Sequence, residues 1–129
     1  MTEKNIHQEA AKNVIGGLLE SCCFSPMTGY FRDGFCHTID EDHGSHTVCA
    51  IMTADFLAFS KSQGNDLSTP RPEYGFVGLK PGDKWCVCVS RWEEAFLVGK
   101  APKVVLAATN IRALEVITLD ELQANAVAA

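Results

Sequence analysis

The chain has 129 residues, of which 47% are hydrophobic and 21% charged, which suits one folded domain and excludes a largely disordered chain. Eleven lysines and arginines against 16 acidic residues give a net charge of −5. We therefore expect neither nucleic acid nor an anionic membrane as a partner, because both attract basic surfaces. The sequence shows neither a basic segment followed by a long apolar run at its start nor a stretch of about 20 apolar residues, and we expect a cytoplasmic protein.

Turn signals dominate the first third of the chain. Residues 1–13 are interpreted as an N-terminal extension with a short helical stripe, and residues 14–129 as a single domain. Within residues 20–47, aromatic side chains flank Asp33-Gly34, a pattern that favours a short hairpin.

Helix-capping residues divide the rest of the sequence into strand-and-helix units. Thr53, Ser90 and Thr118 each follow a β-rich run and precede a helical pattern, as N-cap residues do. The sequence therefore predicts an α+β domain, with a small mixed sheet and about three capped helices. The predicted strands are 47–52, 84–89, 103–107 and 114–117.

Residues 65–83 form the longest irregular segment. Three prolines and three glycines in this stretch exclude a continuous helix or a central strand. A loop of this length inside a compact domain is commonly functional, and apolar residues such as Leu67 and Leu79 predict that it packs against the domain. This Pro/Gly-rich loop is the first candidate site.

Arg71 is the most informative residue of the loop. It lies between Pro70 and Pro72, which restrict the backbone on both sides and hold the guanidinium at low entropic cost. Such an arginine suits two-point binding of a carboxylate or phosphate. The alternative is a structural ion pair between Arg71 and a nearby carboxylate. The remaining candidates for binding a small anion are Arg32, Arg91, Thr69, Glu73 and Tyr74.

Six cysteines suggest a different site. In a reducing compartment they are expected to remain free thiols, so we predict no disulfide. Cysteine and histidine also suit zinc, although the sequence has neither CxxC nor HExxH spacing, and a histidine three residues from a cysteine can activate it. We predict no bound cofactor and keep zinc as the metal that would fit. The metal or thiol candidates are His46, Cys49, Cys86, Cys88 and Cys36.

Several motifs resemble those of a known family. They are TGYFRDG at 28–34, HTVCA at 46–50, GNDLSTPRPEYGF at 64–76 and GLKPGDKWCVC at 78–88. Over roughly residues 14–126 the chain resembles small, mostly bacterial proteins catalogued as domain of unknown function 2237. The resemblance implies no activity. It implies counterparts of Arg32, Arg71, His46, Cys36, Cys49, Cys86 and Cys88. It also implies a different residue at Cys23, a basic residue at His37 and no histidine at His43.

Three classes of function fit these observations. The first is a small domain that binds a small anion at the 65–83 loop. The second is a metal or thiol site built from cysteine and histidine, and the third is an interaction domain without a small-molecule site. The common nucleotide-binding and hydrolase motifs are absent from the sequence.

Overall fold

Two antiparallel strands form the sheet of the protein, whose computed structural model describes residues 11–127. Strand β1 is His46–Ile51 and strand β2 is Lys84–Cys88. Cys49 stands opposite Cys86 in their register. Because side chains alternate across a strand, one face of the sheet belongs to the main apolar core and the other to a smaller cluster rich in cysteine.

Two of the three predicted helix caps are confirmed. Helix α1 is Ala54–Ser62, and the hydroxyl of its N-cap Thr53 accepts the backbone N–H of Phe56 at 3.0 Å. Helix α3 is Leu119–Gln123, and its N-cap Thr118 forms a capping box with Glu121. Each hydroxyl satisfies a helix N–H group that has no partner within the helix.

The cap predicted at Ser90 is wrong. Helix α2 is Val89–Leu97, its N-cap is Cys88, and no side chain caps it. The chain passes from β2 into the helix without a loop, and the carbonyl of Ser45 accepts the N–H of Val89 at 3.0 Å. This backbone bond replaces a side-chain cap, and Ser90 is already inside the helix.

The third predicted strand, 103–107, is reduced to one residue, Val104, which forms isolated bridges to Ala50 of β1 and to Ala126. The carbonyl of Cys49 still accepts the N–H of Val105 at 2.9 Å. The N–H of Cys49, however, donates to the Thr109 hydroxyl at 3.2 Å. This side chain takes the place of a strand carbonyl, and the chain turns away in a 3₁₀ helix, Leu106–Ala108.

The fourth predicted strand, 114–117, is wrong. The chain forms a 3₁₀ helix over Ile111–Glu115, begun by Asn110, whose side chain accepts the N–H of Arg112. Ala113 and Ile117 are both buried, whereas Glu115 between them is exposed. A strand would place all three side chains on one face, so this pattern suits a helical turn.

Two further predictions concern the first third of the chain. No hairpin forms around Asp33-Gly34. Asp33 instead accepts the N–H of Phe35 in a local turn, while Gly34 donates to Thr28. The helical stripe predicted within residues 1–13 lies mostly outside the described residues, and the domain boundary there stays a prediction.

The core lies between the sheet and the helices, as expected for a single α+β domain. Phe56 and Trp92 are fully buried, and the indole N–H of Trp92 donates to the carbonyl of Pro102 at 3.1 Å. The long loop packs as predicted through Leu67 and Leu79. Among the described residues, no helix is long and apolar enough to cross a membrane.

Candidate functional site

A groove runs across the protein at Trp85. It consists of three adjoining hollows of about 210, 230 and 290 Å³, each lined by Trp85. We call it the Trp85 groove. Residues 26–27, 32 and 44–46 line it on one side, and residues 65–77 and 85–91 supply the rest. The 65–83 loop is therefore one wall of the groove.

The groove gathers the predicted arginines. Arg32 and Arg71 line the 290 Å³ hollow together, and Arg91 lines the 210 Å³ hollow. They are three of the four arginines in the chain. Among the lining residues that lie within 11–127, none is an aspartate or a glutamate. A chain of net charge −5 thus has a groove whose lining carries only positive formal charge.

Arg71 extends from a short, closed turn. Its backbone exchanges two hydrogen bonds with Phe76, at 2.8 and 3.0 Å, and a 3₁₀ turn over Pro72–Tyr74 lies between them. Within residues 11–127, the Arg71 side chain is exposed and makes no hydrogen bond or ion pair. The ion pair required by the structural alternative is therefore not formed there.

Of the three loop carboxylates that could pair with Arg71, namely Asp66, Asp83 and Glu73, the first two have other partners. Asp66 accepts the hydroxyl of Thr69 at 2.6 Å and the N–H of Ser68 at 2.9 Å, and these bonds hold the pKa of the Asp66 carboxyl below its usual value. Asp83 accepts the N–H of Lys80 at 2.9 Å. Both carboxylates shape the loop backbone and leave the arginine available.

Arg32 reaches the groove from an unusual backbone conformation. Its φ of 55° lies in the left-handed region, which costs a non-glycine residue on the order of 1 kcal/mol. The guanidinium lies over the Trp85 ring, 5.0 Å from the centroid, and donates to the carbonyl of Gly29 at 2.6 Å. The cation–π contact and the hydrogen bond fix the guanidinium while other N–H groups remain available.

The other predicted anion-site residues differ in placement. Arg91 lines the groove, but it also donates to the carbonyl of Gln63 at 3.0 Å and lies 3.4 Å from Glu94. Tyr74 is 81% exposed and lines two of the hollows. Thr69 and Glu73 belong to the same loop but do not line the groove.

His46 adds a polarised imidazole to the groove. Its Nδ1 lies 2.7 Å from Asp42, whose side chain is 1% exposed, while the ring stacks on Tyr30. Burial alone would raise the pKa of the Asp42 carboxyl, but hydrogen bonds from the backbone and ring of His46 and from Thr38 lower it below 3.8. Nε2 has no hydrogen-bond partner within residues 11–127, so it is available to a molecule in the groove.

The prediction that the cysteines form no disulfide is wrong. Cys22 is bonded to Cys49 and Cys36 to Cys86, with Cα–Cα distances of 5.7 and 5.3 Å, within the usual range. The turns of residues 20–47 bring Cys22 and Cys36 against the sheet face that carries the other two. Free thiols remain at Cys23 and Cys88.

This arrangement separates the predicted metal or thiol set. Cys36, Cys49 and Cys86 belong to the buried disulfide cluster, whereas His46 and Cys88 line the groove and stand opposite each other at the end of the sheet. The pairing of His46 with Cys49 as a catalytic dyad is therefore wrong, because the Cys49 sulfur is bonded to another cysteine.

Three participants were not predicted as site residues. Asp42 lies four residues before His46 on a turn, and this short spacing is the sequence feature that could have predicted their contact. Trp85 was assigned only to a strand, and Cys22 was not included among the candidate ligands. The sequence separations within the disulfides are 27 and 50, and no local pattern predicts contacts over such separations.

A comparison with curated proteins finds no match to the chain. A family model described as "Uncharacterized protein conserved in bacteria (DUF2237)" matches residues 12–126. This match covers nearly all of the chain and agrees with the resemblance seen in its motifs. The chain belongs to this uncharacterised bacterial family, DUF2237.

Proposed function

We propose that the protein binds a small organic anion in the Trp85 groove. The observation that carries the proposal is the lining itself, whose described residues include three of the four arginines of the chain and no carboxylate. Neighbouring guanidinium groups repel one another, and an anion between them would remove that repulsion. Arginine also presents paired N–H groups that match a carboxylate or phosphate.

The rest of the groove suggests what the anion is attached to. Phe76 packs edge-on against Trp85 at 5.5 Å, and Leu67 and Tyr74 continue the apolar lining. Each hollow is smaller than the roughly 300–1,000 Å³ typical of drug-sized ligands. The occupant we propose is therefore a small carboxylate or phosphate with a short apolar body.

The proposal also concerns the cellular compartment of the protein and its partners. A cytoplasmic location was expected from the sequence, whereas disulfides are typical of oxidising compartments, so the disulfides weigh against that expectation. We propose no nucleic-acid partner, because the arginines are gathered in one groove rather than along an extended surface.

The two tryptophans provide a direct test. In a nitrogen-15 NMR titration with a panel of small carboxylates and phosphates, the indole N–H signal of Trp85 should shift with saturation. The signal of Trp92 should not move, because Trp92 does not line the groove and its indole N–H is bonded to the carbonyl of Pro102. A panel in which no anion moves Trp85 would contradict the proposal and favour an interaction domain.

Arginine variants locate the binding. Loss of a hydrogen bond to a charged group costs about 1.5–3 kcal/mol, so Arg71→Ala should weaken binding by about 10- to 100-fold. Arg71→Lys should also weaken it, since an ammonium cannot form the paired bonds. Arg112→Ala is the matched control, because Arg112 pairs with Asp40 and Glu115 and does not line the groove. Equal affinity in all four proteins would refute the role of Arg71.

A further inference from the structure

The two disulfides form one buried cluster. Cys22, Cys36, Cys49 and Cys86 are between 0% and 6% exposed, and they pack with Ala108. The sulfur atoms of Cys22, Cys36 and Cys49 all lie within 4.8 Å of one another. The fourth sulfur, of Cys86, is bonded to that of Cys36. Four sulfurs from four separate parts of the chain therefore meet in one place.

We propose that this cluster, once reduced, is a zinc site with four thiolate ligands. In a tetrahedral zinc–thiolate site the Zn–S distance is about 2.3 Å, which places neighbouring sulfurs roughly 3.8 Å apart. Three of the sulfurs already fall within 4.8 Å of one another. The Cys86 sulfur lies outside this group of three but is bonded to Cys36. Side-chain rotations that separate the bonded sulfurs and bring the Cys86 sulfur toward the others would complete the site, and no change in chain topology is needed.

Strand pairing and hydrogen bonds, in addition to the disulfides, keep the four cysteines near one another. Cys49 and Cys86 are cross-strand partners in the sheet, so their separation is set by strand pairing. Each of the four residues also has a hydrogen bond that reduction would leave intact. These bonds are Cys22 N–H to Gly34 O at 2.7 Å, Asn110 Nδ2–H to Cys36 O at 3.0 Å, Cys49 N–H to Thr109 Oγ1 at 3.2 Å and Cys86 N–H to Thr28 Oγ1 at 2.8 Å.

The donor set selects the metal. Thiolates favour soft or borderline ions such as Zn²⁺ over Mg²⁺ or Ca²⁺. The apolar residues packed with the cluster, Ala108 and Val105, offer no side-chain oxygen ligand. This site differs from the predicted set, because it includes Cys22 and leaves out His46 and Cys88.

The two forms are related by a balanced exchange. A dithiol reductant delivers two electrons and two protons to each disulfide, which gives four protein thiols and two molecules of oxidised reductant. Zn²⁺ then displaces four protons and forms four Zn–S bonds. In the reverse direction, two molecules of a low-molecular-weight disulfide accept the four electrons, both protein disulfides form again and Zn²⁺ is released.

The test compares the full chain in its two redox states. The protein is reduced without oxygen, the reductant is removed, and Co²⁺ is added as a spectroscopic probe. We expect one equivalent to bind, with the visible bands and the sulfur-to-metal charge-transfer absorption of tetrahedral cobalt–thiolate, and Zn²⁺ to displace it. The oxidised protein should bind no Co²⁺ at this site.

Variants then locate the site. Cys23→Ser/Cys88→Ser removes the two free thiols and should leave the stoichiometry and spectrum unchanged, whereas Cys36→Ser should lose or alter both. Circular dichroism reports whether each sample is folded. The proposal is overturned if the reduced wild type binds no Co²⁺ whether folded or unfolded, or if the Cys23→Ser/Cys88→Ser variant abolishes the spectrum.

Discussion

Removing one disulfide at a time tests how the cysteine cluster stabilises the fold. The Cys36–Cys86 bond closes a loop with a sequence separation of 50, and the Cys22–Cys49 bond one of 27. In the chain-entropy model, these separations correspond to about 4 and about 3.5 kcal/mol of unfolding free energy. The two loops interleave along the chain, so the second bond is formed in a chain that the first has already constrained. We therefore expect each single removal to cost no more than these isolated values, and removal of both to cost less than about 4 and about 3.5 kcal/mol added together.

The assay is guanidinium denaturation followed by circular dichroism. Cys36→Ala/Cys86→Ala and Cys22→Ala/Cys49→Ala should each lower the unfolding free energy by about 3–4 kcal/mol. Cys23→Ala/Cys88→Ala is the matched control and should change it by less than about 1 kcal/mol. Denaturation of the reduced wild type, which keeps all its sulfur atoms, measures the loss of the cross-links alone. Its difference from the alanine variants measures the loss of side-chain packing. If each disulfide pair costs no more than the control, the reasoning about loop closure is wrong.

Three smaller predictions follow from individual contacts. Thr53→Ala should lower the unfolding free energy by about 1 kcal/mol through loss of the α1 cap, whereas Ser90→Ala should have little effect because Ser90 caps nothing; denaturant titration of both variants checks this. The folded-state pKa of Asp42 is depressed, so its contribution to stability is complete above the unfolded value of about 3.9 and is lost as the pH falls below it. The Asp42→Asn variant should therefore show a shallower loss of melting temperature below about pH 4 than the wild type. In the oxidised protein a thiol reagent should label no more than Cys23 and Cys88, and a groove-bound anion should slow labelling of Cys88 alone, as mass spectrometry of the peptides would show.

Local chemistry explains why some elements were predictable. The hydroxyls of Thr53 and Thr118 bond to helix N–H groups within three residues, so the sequence contains the whole interaction. Ser90 has the same local pattern but caps no helix. The chain enters α2 directly from β2, and the first helix N–H, of Val89, is bonded to the carbonyl of Ser45, which is distant in the sequence. The predicted strand at 103–107 failed for a similar reason, because Thr109 competes for the N–H of Cys49.

In the candidate site, too, the features set by neighbouring residues were predictable and those set by tertiary packing were not. Arg71 was predictable because its flanking prolines are its immediate neighbours. The gathering of Arg32, Arg71 and Arg91 in the Trp85 groove depends on tertiary packing, which sequence spacing does not encode. Pairing of the four cysteines likewise depends on how residues 20–47 fold onto the sheet.

The groove and the cysteine cluster share one segment of chain, which leads to a final prediction. Arg32 lies between Cys22 and Cys36, and each of these residues is tied to a different strand by a disulfide. The position of Arg32 over Trp85 therefore depends on both cross-links, as well as on its contact with the ring.

Reduction without metal should loosen this segment and weaken binding of the anion found in the NMR titration. The loss of one charged hydrogen bond costs about 1.5–3 kcal/mol, so we expect roughly a tenfold or larger rise in Kd. Binding of Zn²⁺ to the reduced cluster would tie the segment down again and should restore the affinity. Isothermal titration of the oxidised, reduced and reduced zinc-loaded protein measures all three values. In Arg32→Ala, which lacks the coupled side chain, the three values should be nearly equal. If the wild type instead binds the anion with the same Kd in all three states, the segment does not couple the groove to the cluster.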